Sequence, residues 1–407
     1  MAWKVPSVMD EKMKFVAECL SGEASMTDLC ARYGISRETG HVLKRRYLLE
    51  GPAGLAKRSR APHAHGRETP AALIEPILSL RRRKPHWGPK KLLAVLAREA
   101  PRTAWPPSST VSRILKREGL VAPRETRRRR IPQEAPFQDI LGPNDTWCID
   151  FKGWFQTLDG QRCDPLTVTD AYSRYLLACT IARPTTEGVR AEMALLFHEH
   201  GLPAAIRSDN GTPFASAGAA GLCPLSVWWA KLGIRLELIL PGHPEQNGRH
   251  ERMHRTLKAE TTLPPAANMA QQQLRFDAFV QEYNMERPHE ALNQTPPASH
   301  WHPSIRPYPY RIEEPWYDSD HLPIKIRSNG SICWGDDNPF VSSSLAGETV
   351  GIIRLENGDY MVRFIKIPVG LIVRKTNKFI PFGPARPPCG LRPPGSRAGP
   401  KGGNPAL

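Results

Sequence analysis

The stretch His243 to Lys258, HPEQNGRHERMHRTLK, decides how the rest of the chain is read. It opens with loop-forming residues, turns at Gly248 and then becomes a helix carrying Glu251, Arg255 and Lys258. Glu251 and Lys258 are seven residues apart, so on a helix they share one face about two turns apart. An acid and a base on one face suit two tasks. The carboxylate can hold a metal ion while the ammonium holds a phosphate. The remaining sequence reads as machinery for bringing two more carboxylates, and a polyanion, to that face.

With 407 residues, the chain exceeds what one hydrophobic core supports, and two to four domains are expected. Lys and Arg number 56 against 40 Asp and Glu, and the excess is unevenly spread. Residues 1–136 hold 28 basic and 13 acidic side chains, whereas the other 271 residues hold 28 and 27. A one-sided positive field points to a polyanion, nucleic acid before membrane; a soluble basic surface is the plainer alternative. The eight Cys are scattered, without a C-x-x-C pair or a His/Cys cluster at zinc spacing. Cys148 and Cys179 lie in apolar runs as small core residues, which suits a reducing cytosol. No signal peptide is indicated, and no run approaches the roughly 20 apolar residues of a membrane helix. The expectation is a soluble, cytoplasmic protein that contacts no membrane.

Residues 1–50 read as three helices. Residues 9–20 carry apolar side chains near helical period, 26–33 form a short helix capped by Ser25 or Thr27, and Gly34-Ile35 turn the chain. Ser36 caps a third helix, 37–49, that carries Lys44, Arg45 and Arg46. This is the pattern of a helix-turn-helix unit whose last helix enters the major groove, with Ser36, Arg37, Lys44 and Arg45 as candidate DNA contacts. A three-helix bundle with a solvated basic face is the alternative. Residues 51–70 read as a linker, and 71–122 as a second unit: helices at 71–83 (bent at Pro76), 88–100, and one capped by Ser108 or Ser109 that runs to Glu118. Arg113 and Lys116 make its last helix a second candidate reader, although a packing module fits as well. Residues 123–137, with Arg127 to Arg130, form a basic linker.

From residue 138 to 301 the pattern becomes α/β. TWCIDFKG (146–153) is a strand carrying Asp150, and 165–182 makes two more strands around a polar bend at Asp170–Arg174. A helix over 185–201, a strand over 204–211 that ends at Asp209, a helix over 225–233 and a strand over 234–241 precede the opening helix. Such an order predicts a mixed sheet with helices against it. A helix over 270–286 follows.

The motifs W-x-x-D at Trp147–Asp150, SDNGTPF at 208–214, HPEQNG-x-x-E at 243–251 and YNMERPHEALNQTPP at 283–297 resemble the core of bacterial insertion-sequence transposases and retroviral integrases. The first helical unit likewise resembles the homeodomain-like helix-turn-helix of bacterial transposases. The resemblance implies an RNase H-like fold in which three acids, a DDE triad, bind two divalent metal ions. Matched by motif, the acids are Asp150, Asp209 and Glu251. Phosphodiester cleavage needs an activated nucleophile and a stabilised leaving oxygen, and two metal ions clamp both. Hard carboxylate donors suit Mg²⁺ or Mn²⁺. The spacing most common in the family would select Glu245 as the last acid. Glu245, however, precedes Gly248 and lies in the loop, and the family's basic residue seven positions on is Lys258 after Glu251 but Arg252 after Glu245. Choosing Glu251 lengthens the gap by six residues, the length of Gly218-Ala-Ala-Gly-Leu-Cys223, which reads as an inserted loop. Asn210 and Gly211 shape the strand end beside Asp209. Asn247 lets the backbone approach DNA, and Arg255 and Lys258 are candidates for donor-strand phosphates. His254 is expected in solvent, and Arg287 and His289 are expected to brace the core's last helix or to contact DNA.

Residues 320–383 read as a small SH3-like β-barrel, with PIKIR, SICW, PFVSS, ETVGIIRLE and DYMVRFI as strands, and 384–407 as a disordered tail. A DNA or subunit contact and a structural cap are both open to the β domain. The resemblance implies a transposase. It would bind its element's terminal inverted repeats, cleave 3′ ends and transfer strands to target DNA, as a dimer or larger assembly on the bacterial nucleoid. The rival is a catalytically silent DNA-binding regulator derived from such an enzyme.

Overall fold

A computed structural model of the chain describes residues 7–58, 68–121, 140–239 and 248–383. It divides into two compact units, Met1–Pro70 and Ala71–Leu407. The expected basic linker at 123–137 and tail at 384–407, residues 59–67 of the expected linker at 51–70, and Glu245 and Asn247 lie outside the described residues.

The first unit holds α1 (Val8–Ser21), α2 (Met26–Arg32) and α3 (Arg37–Glu50). Each starts at a serine whose hydroxyl accepts an otherwise orphaned backbone N–H: Ser7 from Asp10, Ser25 from Asp28, Ser36 from Thr39. Phe15, Val16, Leu29, Cys30 and Leu43 close the core. Gly40 lets α3 approach α2, because a Cβ there would lie 2.6 Å from the Cys30 sulfur. The expected linker starts later than its composition suggests. Gly51–Leu55 forms a 3₁₀ turn that buries Leu55 in the same core.

In the second unit, α4 (Ala71–Arg83), α5 (Pro89–Glu99) and α6 (Ser108–Arg117) pack through Ile77, Leu80, Trp87, Leu92, Leu96, Val111, Ile114 and Leu115. Neither Ser108 nor Ser109 is the cap of α6. Pro107 holds that position and Ser108 is already helical. Val111, Ile114 and Leu115 turn inward, so Arg113, Lys116 and Arg117 face solvent.

The central sheet runs β5 (Leu176–Ile181), β4 (Pro165–Asp170), β1 (Thr146–Phe151), β6 (Ala205–Ser208), β7 (Arg235–Leu238). The β1 strand is antiparallel to β4 and parallel to β6, and β6 is parallel to β7. A small hairpin, β2 (Phe155–Gln156) and β3 (Arg162–Cys163), turns at Gly160. Helices α7 (Thr186–His200) and α8 (Pro224–Lys231) cover the sheet through Met193, Phe197, Trp228 and Trp229. Helix α9 (Gly248–Thr261) and α10 (Met269–Gln281) pack on β5 and β3 through Met253, Leu257, Phe276 and Phe279. Buried Asp170 ties the β4–β5 bend together by accepting from the Asn144 and Ser173 backbone N–H groups and the Ser173 hydroxyl. Burial pushes its carboxyl pKa up, against those hydrogen bonds.

The C-terminal strands β8 (Leu322–Lys325), β9 (Thr349–Arg354), β10 (Tyr360–Phe364), β11 (Ile367–Ile372) and β12 (Phe379–Pro381) form an open antiparallel sheet in chain order. Among the described residues no pairing joins β8 to β12, so the expected closed barrel is not formed there. SICW and PFVSS contribute single bridges at Ser331–Phe340 and Trp334–Asp337 instead of strands. The sheet does not stand alone. Ala219 and Leu222 of the six-residue insert, with Val227 and Ala230 of α8, share its hydrophobic cluster with Ile326, Ile332, Val350 and Val362. The Ala220 N–H donates to the Phe382 carbonyl, and Lys231 pairs with Glu348 at 2.9 Å. Leu222→Ala is therefore expected to cost about 2–5 kcal/mol and to lower the melting of core and C-terminal sheet in one transition. Calorimetry with the variant's melting unchanged would contradict the shared core.

Candidate metal and nucleic-acid site

Asp150 lies near the end of β1, and Asp209 follows directly on β6. The parallel register pairs Cys148 with Arg207. Carried two residues further, it sets Asp150 beside Asp209 at the carboxyl ends of neighbouring strands, where open sheets bind ligands. The Asp209 carboxylate accepts the Gly211 N–H at 3.1 Å, and a Cβ at Gly211 would lie only 3.1 Å from the other carboxylate oxygen. Asn210 donates to the Ile239 carbonyl at 2.6 Å and so joins the ends of β6 and β7. Both residues shape the strand end, as their motif suggests.

One face of α9 is fixed by polar contacts to β4. The Thr167 hydroxyl lies 2.6 Å from His250 Nε2, 2.7 Å from His254 Nε2 and 3.0 Å from the Asp150 carbonyl. Thr169 Oγ1 lies 3.3 Å from His250 Nδ1. A hydroxyl has one proton. Donation to the Asp150 carbonyl leaves Thr167 to accept an Nε2–H from each ring, and Thr169 then donates to His250 Nδ1. Both rings are neutral in this scheme. Burial, then the neighbouring His254, pushes the His250 pKa well down; burial, then Lys152, pushes that of His254 down to about 4. His254 is thus a half-buried brace and not the solvated side chain expected of it. His250 and His254 are one turn apart, and Met253 and Leu257 continue their face inward. That turn of the helix leaves Glu251, Arg255 and Lys258 exposed.

Among the described residues, the His, Cys, Asp and Glu group whose ligand atoms lie within 4.8 Å of one another is Asp150, His250 and His254. The three acids named from the motifs do not form such a group: Asp150 and Asp209 are half-buried, and Glu251 is exposed on α9. Lys152, two residues past Asp150, packs its ammonium over the Phe155 ring. Burial, then the charge of Lys258, lowers its pKa. Cations from the end of β1 and from α9 therefore gather beside Asp150. Lys152 and His250 were both within reach of the pattern. Lys152 has the strand period from Asp150, and His250 the helix period from His254, Met253 and Leu257.

The DNA-contact candidates divide. Arg37 and Arg45 of α3, Arg113 and Lys116 of α6, and Arg255 and Lys258 of α9 are exposed. Ser36 is the α3 cap, and the half-buried Lys44 ammonium donates to the Cys19 carbonyl, so both have structural work. Arg287 is buried and pairs with Glu260 of α9 at 2.8 Å, which makes it a brace. His289 is half-buried, its pKa pushed down to about 3 by burial, then Lys91, Arg287 and Arg174.

The depressed pKa values of His254 and His289 have a definite sign. The unfolded chain takes up their protons below about 6.5, whereas the folded chain does not until about 4 and about 3. Their contribution to stability is present above pH 6.5 and is lost as pH falls, by about 1.4 kcal/mol per imidazole per unit. Urea melts at pH 7 and pH 5 should differ accordingly, and His289→Asn should flatten the difference.

Known proteins match this architecture. Residues 141–244 and 232–297 match two family models, each described as an integrase core domain. Residues 11–63 match a helix-turn-helix domain and 39–115 a homeodomain-like domain. The chain is 28% identical over 244 residues to the insertion element IS407 31.7 kDa protein of Burkholderia multivorans, covering 58% of this chain and 81% of that one. It is 31% identical over 161 residues to the insertion element IS476 39.2 kDa protein of Xanthomonas euvesicatoria, covering 38% and 44%. Among solved structures, a chain of the simian T-cell lymphotropic virus intasome bound to PP2A regulatory subunit B56 gamma matches at 17% identity and a TM-score of 0.36, over 72% of this chain and 97% of that one. The HTLV-2 integrase catalytic core domain in complex with magnesium matches at 14% and 0.32, over 40% and 99%. Residues 141–297 are thus similar to integrase core domains, the segments before them to helix-turn-helix and homeodomain-like domains, and the chain to proteins of bacterial insertion elements.

Proposed function

We propose that the protein is the transposase of an insertion element. It binds the element's terminal inverted repeats, nicks their 3′ ends and joins each 3′-OH to target DNA. The feature that carries this reading is the placement of Asp150 near the end of β1 and of Asp209 directly after the adjacent parallel strand β6, with Asp150 grouped with His250 and His254 of α9, the helix whose first turn bears Glu251. The proposed donor set suits Mg²⁺ or Mn²⁺, because carboxylates offer the hard oxygens that these ions take. Two such ions, when bound, would activate the attacking oxygen and neutralise the leaving one.

The remaining steps belong to the chain's own side chains. The Thr167 bridge to both imidazoles orients α9, so that Glu251 faces the same solvent as the strand ends. Lys152, Arg255 and Lys258 offer cations to the phosphates on either side of the scissile bond. The exposed residues of α3 and α6, led by Arg37, Arg45, Arg113 and Lys116, read duplex DNA. Two element ends must be joined to one target, so a dimer or larger assembly is the working form.

Labelled duplex taken from the DNA that borders the coding segment, incubated with Mg²⁺, tests the chemistry. Asp150→Ala and Asp209→Ala should each lower nicking by about a hundredfold or more, since each removes several kcal/mol of charge stabilisation. Equal nicking by wild type and Asp150→Ala would leave a DNA-binding regulator as the better reading. The two glutamates give a second comparison. Glu251→Gln should abolish strand joining while Glu245→Gln largely keeps it, and the reverse outcome would move the third ligand into the loop.

A further inference from the structure

The second helical unit is seated on the catalytic core through contacts that its DNA-reading role does not require. Lys84, directly after α4, reaches Glu282 at 2.8 Å and Glu286 at 2.9 Å. Both acids stand in a π-helical turn, Glu282–Glu286, that continues α10. A π turn is rare and marks a position where regular helix would not meet the local demand. Here the two carboxylates close on one ammonium that is only 20% exposed. Arg98 of α5 donates to the Glu286 carbonyl at 3.0 Å, and Lys90 pairs with Glu290 at 2.6 Å. The latter pair is exposed and contributes little. Trp87, fully buried, lies between two cations: the Lys84 ammonium 5.2 Å and the Arg287 guanidinium 6.0 Å from its ring.

Arg287 carries the connection onward. Its guanidinium is buried and pairs with Glu260. Glu260 stands on α9, nine residues after Glu251 on one rigid helix. A continuous path of packed and charged groups therefore runs from α4 and α5, through Trp87 and Arg287, into the helix that bears the proposed third metal ligand. The basic face of α6 takes no part in this seat: Arg113, Lys116 and Arg117 remain in solvent. Helix α6 is held by Val111, Ile114 and Leu115 against the same small core as Trp87.

We propose that the seat acts as a ruler: it holds α6 at a set distance from the strand ends, so that the base pairs α6 covers determine which phosphate is cut. Lys84, Glu282, Glu286 and Arg287 are positioning residues in this scheme and touch neither metal nor the scissile bond. The proposal rests on the transposase reading above.

Full-length protein, with labelled duplex from the bordering DNA, tests it in two ways. A footprint first fixes the base pairs that the protein covers. Inserting one or two base pairs between that sequence and the nicked bond should move the nick by the same number of base pairs, and a nick that stays with the element end overturns the ruler. Lys84→Glu should bind the duplex within about twofold of wild type but spread nicks over neighbouring phosphates, so that the share at the wild-type position falls threefold or more. Adding Glu282→Lys and Glu286→Lys to Lys84→Glu reverses the charges and should gather the nicks again. Nicking by Lys84→Glu at the wild-type phosphate, with the wild-type share, overturns the assignment. Hydrogen exchange checks the seat apart from any activity. Protection of 282–290 should fall in Lys84→Glu and return in the reversed variant; unchanged protection means that the seat does not depend on this pair. If wild type nicks no bordering duplex, the transposase reading itself fails, and the exchange result still reports on the seat.

Discussion

Thr167 and Thr169 hold one face of α9 to the sheet by hydrogen bonds to His250 and His254, and the outward direction of Glu251, Arg255 and Lys258 follows from this contact. A helix advances about 100° per residue, so burying His250 and His254 against β4 leaves no freedom in the residues between and beyond them. Glu251, Arg255 and Lys258 must face out, and all three are exposed. The contact is polar on both sides, which makes it directional. Met253 and Leu257 add apolar burial on the same face, but apolar packing alone would tolerate a small rotation of the helix.

The second ordering principle is the shared core at the other end of the sheet. Asp209 leaves β6 into a turn that packs Phe214 against Phe151 of β1, and Cys223 donates its thiol proton to the Phe214 carbonyl. The six-residue insert lies between them and gives Ala219 and Leu222 to the C-terminal sheet. The stretch that the sequence reading took for an insert thus has a structural occupation. The C-terminal sheet is joined to the core through the same insert and α8, which gives weight to a structural cap for that sheet.

Much of this was written plainly in the residue pattern. Alternation over 146–151 and 165–181 marked strands that are buried on one or both faces, and Ser36, with Ser25 or Thr27, marked caps, whereas the Ser7 cap of α1 was not foreseen. Short-range signals failed where the partner was distant. Lys44 reads as a groove-facing cation, yet its ammonium meets a carbonyl 25 residues back in the chain. His254 reads as solvated, yet its hydrogen-bond partner is 87 residues away. Gly51–Leu55 has linker composition but supplies Leu55 to a core that no local pattern foretells. SICW and PFVSS alternate as strands do, but the chain there turns too tightly for a ladder, whereas β11 and β12 were passed over.

By itself, the sequence determined most of the order of the elements through the core and the outward face of α9, because these depend on period and on chain neighbours; the three motif acids came from a family resemblance. Tertiary structure alone decided what Asp150 stands beside, two neutral imidazoles held by Thr167 and Thr169 and a lysine from the same strand end, and that a helical unit is seated on the far end of α9 through Arg287 and Glu260. The physical reason is the same in each case. Hydrogen bonds and ion pairs between residues tens to hundreds of positions apart are set by how whole elements pack, and no local pattern in the chain encodes that packing.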